Sequence, residues 1–147
     1  MSWRTLEEHA PELAAFGARR LVGPGVAYLA TTDVTGAPRV HPVTPILAPG
    51  HLFVFMEPTS PKAHDLERGS RYALHCAVED EDGGGGEFRL RGPARRVHDD
   101  LERTLAAAHA SYEPTESYVL FELLVDDAFS TVYEDGTPVR QRWRLAA

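Results

Sequence analysis

A chain of 147 residues is long enough to bury one core of its own and short for two. Its formal charge of −7 argues against general nucleic-acid binding, which relies on clustered lysine and arginine. No apolar run is long enough to span a membrane, Met1-Ser2-Trp3-Arg4 does not begin a signal peptide, and the lone Cys76 excludes an intrachain disulfide, so a cytoplasmic protein is expected.

The chain opens on a helix over residues 1–20. Thr5-Leu6-Glu7-Glu8 has the form of a capping box, Leu6, Leu13 and Phe16 share a face, and Pro11 predicts a kink or a restart. Gly17 and the Gly23-Pro24-Gly25 break predict its end. A first strand over 26–32 turns at Asp33-Val34-Thr35-Gly36 and returns as 38–46. Pro38, Pro42 and Pro45 cannot donate to a ladder, which places the second strand at an edge with part of its backbone free.

A third strand, 52–56, leads into Glu57-Pro58-Thr59-Ser60-Pro61-Lys62. Ser60 is a good N-cap, Pro61 suits the first helical position, and the N–H groups that follow make the helix start a candidate anion site. Lys62 adds a full charge there. It is the only lysine beside fourteen arginines, in a chain with one isoleucine and no asparagine. Two readings stand: a compact cation is required at this position, or one lysine survived a GC-rich codon bias by chance.

The helix over 63–69 is followed by a strand at 72–78 and then by Glu79-Asp80-Glu81-Asp82 and four glycines, a solvated loop whose consecutive acids lack calcium-loop spacing. The next strand alternates, with Phe88, Leu90 and Gly92 on one face and Glu87, Arg89 and Arg91 on the other. A helix over 98–110 is expected to turn Leu101, Leu105 and Ala108 inward. The closing strands, 118–143, end in a hairpin about Asp135-Gly136. The whole is read as one domain of α+β, mostly β class: a six- to seven-stranded antiparallel barrel with small peripheral helices.

No rival chemistry organises itself. The seven histidines include no His-x-x-x-His pair, so no metal centre is expected, and neither a Gly-x-Ser-x-Gly elbow nor a Walker loop is present. Cys76, in a predicted buried strand, is expected to pack inertly.

Four pieces, in order across residues 26–96, resemble the pyridoxamine 5'-phosphate oxidase-like family, flavin and deazaflavin oxidoreductases of FMN-binding split β-barrel fold. They are Tyr28-Leu29-Ala30-Thr31, Gly36-Ala37-Pro38-Arg39-Val40-His41-Pro42-Val43, Ser60-Pro61-Lys62 with Leu66 four residues on, and Leu90-Arg91-Gly92-Pro93-Ala94. The resemblance implies a homodimer with the cofactor in a groove between subunits, its phosphate held by a strand-two cation and by a Ser-Arg-Lys run. Here the arginine of that run is Pro61, and the strand-two cation falls at or near His41, with Arg39 two residues earlier.

The cofactor-binding residues expected from this are Arg39, His41, Pro42, Val43, Thr44, Thr59, Ser60, Lys62 and Trp143. Trp143 either packs against the cofactor from the partner subunit or seals the dimer. The expected activity is hydride transfer to or from a small molecule by an FMN-dependent oxidoreductase distinct from the true oxidase, whose C-terminal Arg-x-His element has no counterpart in Arg140-Gln141-Arg142-Trp143-Arg144-Leu145. FMN is preferred because it needs only the single phosphate site. A deazaflavin coenzyme is the alternative, its tail falling to Arg68, Arg71, Arg140, Arg142 and Arg144, and a non-catalytic flavin- or haem-binding barrel is the rival class. His41 is the one candidate acid or base.

Overall fold

The computed structural model describes residues 1–146. Two helices open the chain, α1 (Trp3–His9) and α2 (Pro11–Val22), and the break falls at Ala10. Pro11 has no N–H to continue α1 but suits the first turn of a new helix, which is why the chain restarts there. The capping-box reading is corrected: Thr5 lies inside α1, which begins after Ser2 with no side-chain cap. Gly17 is corrected likewise. It sits in the middle of α2, where a Cβ would come within 2.3 Å of the Phe88 ring, so it permits close packing and terminates nothing.

The strands are β1 (Ala27–Thr32), β2 (Pro38–Val43), β3 (Ile46–Ala48), β4 (His51–Met56), β5 (Tyr72–Cys76), β6 (Glu87–Gly92), β7 (Ala94–Val97), β8 (Val119–Leu123), β9 (Asp127–Glu134) and β10 (Thr137–Arg144). Helix α3 (Pro61–Glu67) follows β4, and α4 (Asp100–His109) follows β7. They build a six-stranded sheet of order β10-β9-β6-β5-β1-β2 and a four-stranded sheet of order β3-β4-β8-β7, with every pairing antiparallel. This is the split-barrel fold.

The described residues form ten strands rather than the six or seven expected, and two of the added strands, β3 and β7, arise where the chain passes from the six-stranded to the four-stranded sheet at a proline. Pro45 separates β2 from β3 and Pro93 separates β6 from β7; neither can donate to a ladder, so pairing stops and the direction changes. Gly92 is required at the second crossing. A Cβ there would meet the Leu124 carbonyl oxygen at 2.0 Å.

The two sheets are buried differently. Strand β4 is apolar at every position from Leu52 to Met56 because both its faces are covered. Leu52, Val54 and Met56 join Leu29, Leu74, Phe88, Leu90, Phe121 and Leu123 in the core between the sheets. Phe53 and Phe55 face the other way, into a smaller core with Ile46, Val97, Leu120 and Ala106 of α4. The outer face of the six-stranded sheet carries no such cover: Tyr28 is 45 % exposed and Val40 66 %.

The expected inward face of α4 holds at Leu105 and fails at Leu101 and Ala108. Leu101 is 81 % exposed and Ala108 also faces solvent, while Ala106 is buried and Leu105 packs beside it. The orientation is fixed by polar anchors that hydrophobic counting ignores. The Arg103 guanidinium lies 5.0 Å over the Phe55 ring and donates to the Tyr118 carbonyl, and Glu102 accepts from Arg95. Asp99, rather than a residue within the helix, is the N-cap and accepts from the Glu102 N–H. The final hairpin turns at Asp135 (φ 51°) and Gly136 (φ 79°), the left-handed pair that a tight two-residue turn demands.

Candidate functional site

Strand β2 pairs only with β1 and leaves its other edge open. Successive side chains of a strand point to opposite faces. Pro38, Val40 and Pro42 are therefore exposed on the outer side, and Arg39, His41 and Val43 point inward, Val43 being buried. Helix α3 packs beside this inward row. The chain reaches it through the expected cap: Ser60 is extended (φ −69°, ψ 146°), its Oγ accepts from the Ala63 N–H at 3.3 Å, and Pro61 holds the first helical position. Ser60 Oγ also donates to the Glu57 carbonyl at 2.8 Å, and Thr59 lies exposed one residue before. With only seven residues, α3 contributes little beyond its first turn, so the charge of the site rests on side chains.

Asp65 ties β1, β2 and α3 together. Its carboxylate is fully buried and accepts from Thr31 Oγ1 at 2.8 Å, Arg39 Nε at 2.9 Å and an Arg68 guanidinium nitrogen at 2.5 Å. Burial alone would push the Asp65 pKa up. The bonds from Thr31, Arg68 and Arg39 outweigh it and hold the group below its usual value. Arg39 thus stands beside the candidate site with Nε committed to Asp65 and a second nitrogen 3.8 Å from Asp33, its side chain 37 % exposed.

His41 and Lys62 are less satisfied. Burial lowers the Lys62 pKa. Burial lowers that of His41 as well, the charges of Lys62 and Arg39 lower it further, and Asp65 opposes them. The Nε2 atom of His41 is buried and finds no hydrogen-bond partner among the described residues. Such an atom costs on the order of 1–3 kcal/mol unless something supplies a partner.

Pro42, Val43, Thr44, Glu57, Lys62, Tyr112 and Tyr118 are among the residues lining a cleft of about 370 Å³, with the Glu57 side chain exposed to solvent. Burial and the neighbouring Tyr118 raise the Tyr112 pKa, so its phenol stays protonated and can donate. A phosphorylated planar cofactor fits this donor set: cations and an unpartnered imidazole beside a half-apolar cleft, next to a strand edge with unpaired backbone groups.

Of the expected residues, the structure gathers Arg39, His41, Pro42, Val43, Thr44, Thr59, Ser60 and Lys62 along β2 and the start of α3. It does not bring Trp143 to them within one chain. Trp143 lies on β10, at the opposite edge of the six-stranded sheet from β2, where its ring stacks on His9 at 6.1 Å. Sequence reasoning missed Asp65, Tyr112 and Tyr118. An acid between Ala63 and Leu66, on the buried face of a short helix, was a usable signal for Asp65; Tyr112 falls in an irregular stretch that has no period to read.

A second polar cluster lies on the four-stranded sheet. His51 Nδ1 is 2.6 Å from Glu122, and Arg95 donates to both Glu122 and Glu102. One ligand atom each of His51, Glu102 and Glu122 falls within 4.8 Å of the others, a grouping the sequence spacing did not announce. Arg95 already supplies a positive charge to its two carboxylates. Among the described residues no helix is long and apolar enough to cross a membrane.

Residues 12–132 match the protein-family model described as pyridoxamine 5'-phosphate oxidase. Among solved structures, a haem-binding protein from Mycobacterium smegmatis superposes with a TM-score of 0.68 at 18 % identity. That alignment covers 88 % of this chain and 57 % of the other, so the chain spans little more than half the length of that protein. A NimC/NimA family protein from Clostridium acetobutylicum also gives 0.68, at 16 % identity, covering 97 % and 96 % of the two chains. HutZ, a haem storage protein from Vibrio cholerae, gives 0.57 at 19 % identity, covering 80 % and 89 %. At these identities the likeness is one of fold. No curated protein matches the sequence.

Proposed function

Because the chain belongs to the pyridoxamine 5'-phosphate oxidase family, we propose that it binds FMN at the β2–α3 corner and acts as an oxidoreductase on a small molecule. The observation that carries this reading is the pairing of Lys62 with the unpartnered His41 Nε2 beside the cleft. Lys62, set at the first turn of α3, holds the phosphate as a point charge. Arg39, oriented by Asp65, adds long-range attraction. The open edge of β2 at Pro42 to Thr44 orients the ring, and Tyr112 and Tyr118 exclude water from the cleft. FMN, when bound, supplies the hydride chemistry, and the protein supplies position and electrostatics.

The same reading includes a homodimer. On the uncovered face of the six-stranded sheet, one cross-strand row runs Pro42, Tyr28, His75, Arg89, Phe129, Arg142. Its β1–β2 half is apolar and exposed, an unusual surface for a lone chain of this size. Trp143 follows Arg142 on β10, so its side chain points away from this face, packing against the core and stacking on His9. Sedimentation is expected to show a dimer that Val40→Glu converts to monomer; a wild-type monomer with cofactor bound would contradict the assembly.

The experiment for the function is an absorbance spectrum of the purified protein, followed by titration with FMN and with a deazaflavin coenzyme. Visible flavin absorbance, bleached by reductant and restored by a substrate, is the expected result. FMN is expected to bind more tightly than deazaflavin, with little salt dependence beyond that of the phosphate. Two structural relatives are named for haem, and a Soret band instead of flavin absorbance would move the assignment to a non-catalytic haem carrier.

A further inference from the structure

His41 stands among charges that are mostly of one sign. Arg39 precedes it by two residues on the same face of β2, and Lys62 and Asp65 approach from α3. Across the ladder its β1 partner is the apolar Leu29. Asp65 is the one acid among the charges that act on it, and that carboxylate is already shared by Arg39, Arg68 and Thr31. The imidazole is partly buried, its Nε2 has no partner among the described residues, and the surrounding field favours the neutral form. Asp65 and Asp33 offset Arg39 and Arg68, and Glu57 on the cleft wall is exposed to solvent, so a neutral imidazole beside Lys62 leaves the site about one positive charge short of balancing a phosphate dianion.

We propose that His41 selects a phosphomonoester dianion over a phosphodiester monoanion, by taking up one proton from solvent as the dianion binds. The inference rests on the phosphate-binding reading above and adds the charge state that the site accepts. Lys62 balances the first negative charge of the ligand. The second reverses the field at His41, so the imidazole gains a proton at its free ring nitrogen, and the imidazolium then donates to a phosphate oxygen. A diester carries one charge, which Lys62 balances alone, and leaves His41 neutral and unpartnered. Ligands with a terminal phosphate are favoured over those whose phosphate is esterified twice.

The test uses three probes on the whole protein: FMN, its phosphate monomethyl ester, and riboflavin. Calorimetry in buffers of different ionisation enthalpy measures proton uptake, and fluorescence titration measures affinity between about pH 7 and 9, where the FMN phosphate stays dianionic. Wild type is expected to take up a proton with FMN, to lose FMN affinity by up to about tenfold per pH unit, and to show neither effect with the ester or riboflavin. His41→Gln should abolish uptake and bind FMN and the ester alike. Nitrogen NMR of the imidazole should report a neutral ring in the free protein and a protonated ring in the FMN complex. FMN binding that is flat in pH, or proton uptake that persists in His41→Gln, would overturn this inference and leave the flavin reading standing. Failure of FMN to bind at any pH would overturn both.

Discussion

Two clusters of buried charge, one on each sheet, have opposite characters. On the four-stranded sheet, Glu122 is met by His51 on one side and Arg95 on the other, and Arg95 continues to Glu102. Each carboxylate there has a partner. At the β2–α3 corner, Asp65 is equally well met, but Lys62 and His41 beside it are desolvated and make no ion pair among the described residues, and a cleft, with the exposed Glu57 on its wall, opens next to them. A closed network fixes strands and a helix against one another; an open one has capacity left for a ligand. The difference singles out the β2–α3 corner as the candidate binding site better than burial does, since Glu122 and Asp65 are both buried.

The comparison breaks most visibly at Asp65. Asp65→Ala removes a fully buried carboxylate and strands Arg39, Arg68 and Thr31. It should cost about 2–4 kcal/mol in urea unfolding, below the largest losses for buried pairs because both arginines reach solvent. Lys62→Ala should do the reverse: little change in unfolding, and FMN affinity weaker by about 1–3 kcal/mol, the range for a lost charge-assisted hydrogen bond. An unchanged FMN affinity in that variant would remove the phosphate assignment. Arg95→Ala is the control on the other sheet, with stability reduced and FMN affinity retained.

Acid sharpens the contrast. The folded pKa values of Asp65 and Asp127 are lowered, so the stability they contribute is fully present above the unfolded carboxylate value, about 3.9, and is lost as pH falls through their lower folded values. Unfolding free energy should therefore decline below about pH 4, and Asp65→Asn should show a shallower decline. An equal slope in both proteins would show that Asp65 is not a source of it. Smaller still, Ser60→Ala should cost about 1 kcal/mol as a lost cap. Leu101→Gln should stay within about 0.5 kcal/mol, since that side chain faces water; a larger loss would restore the helix phase expected from sequence.

Much of the β2–α3 corner was legible because short-range rules act there. Ser60-Pro61 is a cap with a pre-set first turn, and the prolines of β2 forbid a second partner strand; the same kind of rule fixes the distant β9–β10 hairpin, where Asp135-Gly136 demands a tight turn. What escaped depends on distant partners. Gly17 reads as a helix terminator until Phe88, 71 residues on, is known to lie against it. The orientation of α4 is set by Arg103 on Phe55 and by Glu102 on Arg95, contacts that no hydrophobic period contains. Trp143 could be placed near the end of the chain but not on the edge opposite β2, because the strand order depends on β9 returning to pair with β6.

On the proposed reading the β2–α3 corner recognises the phosphate of a flavin. Parallel fluorescence titration with FMN and riboflavin tests it most directly, because the two ligands share a ring and differ only in that group. FMN is expected to bind at least about tenfold more tightly in wild type, the worth of one charge-assisted hydrogen bond, and Lys62→Ala is expected to remove most of this preference. Equal affinities for the two ligands in wild type would contradict it.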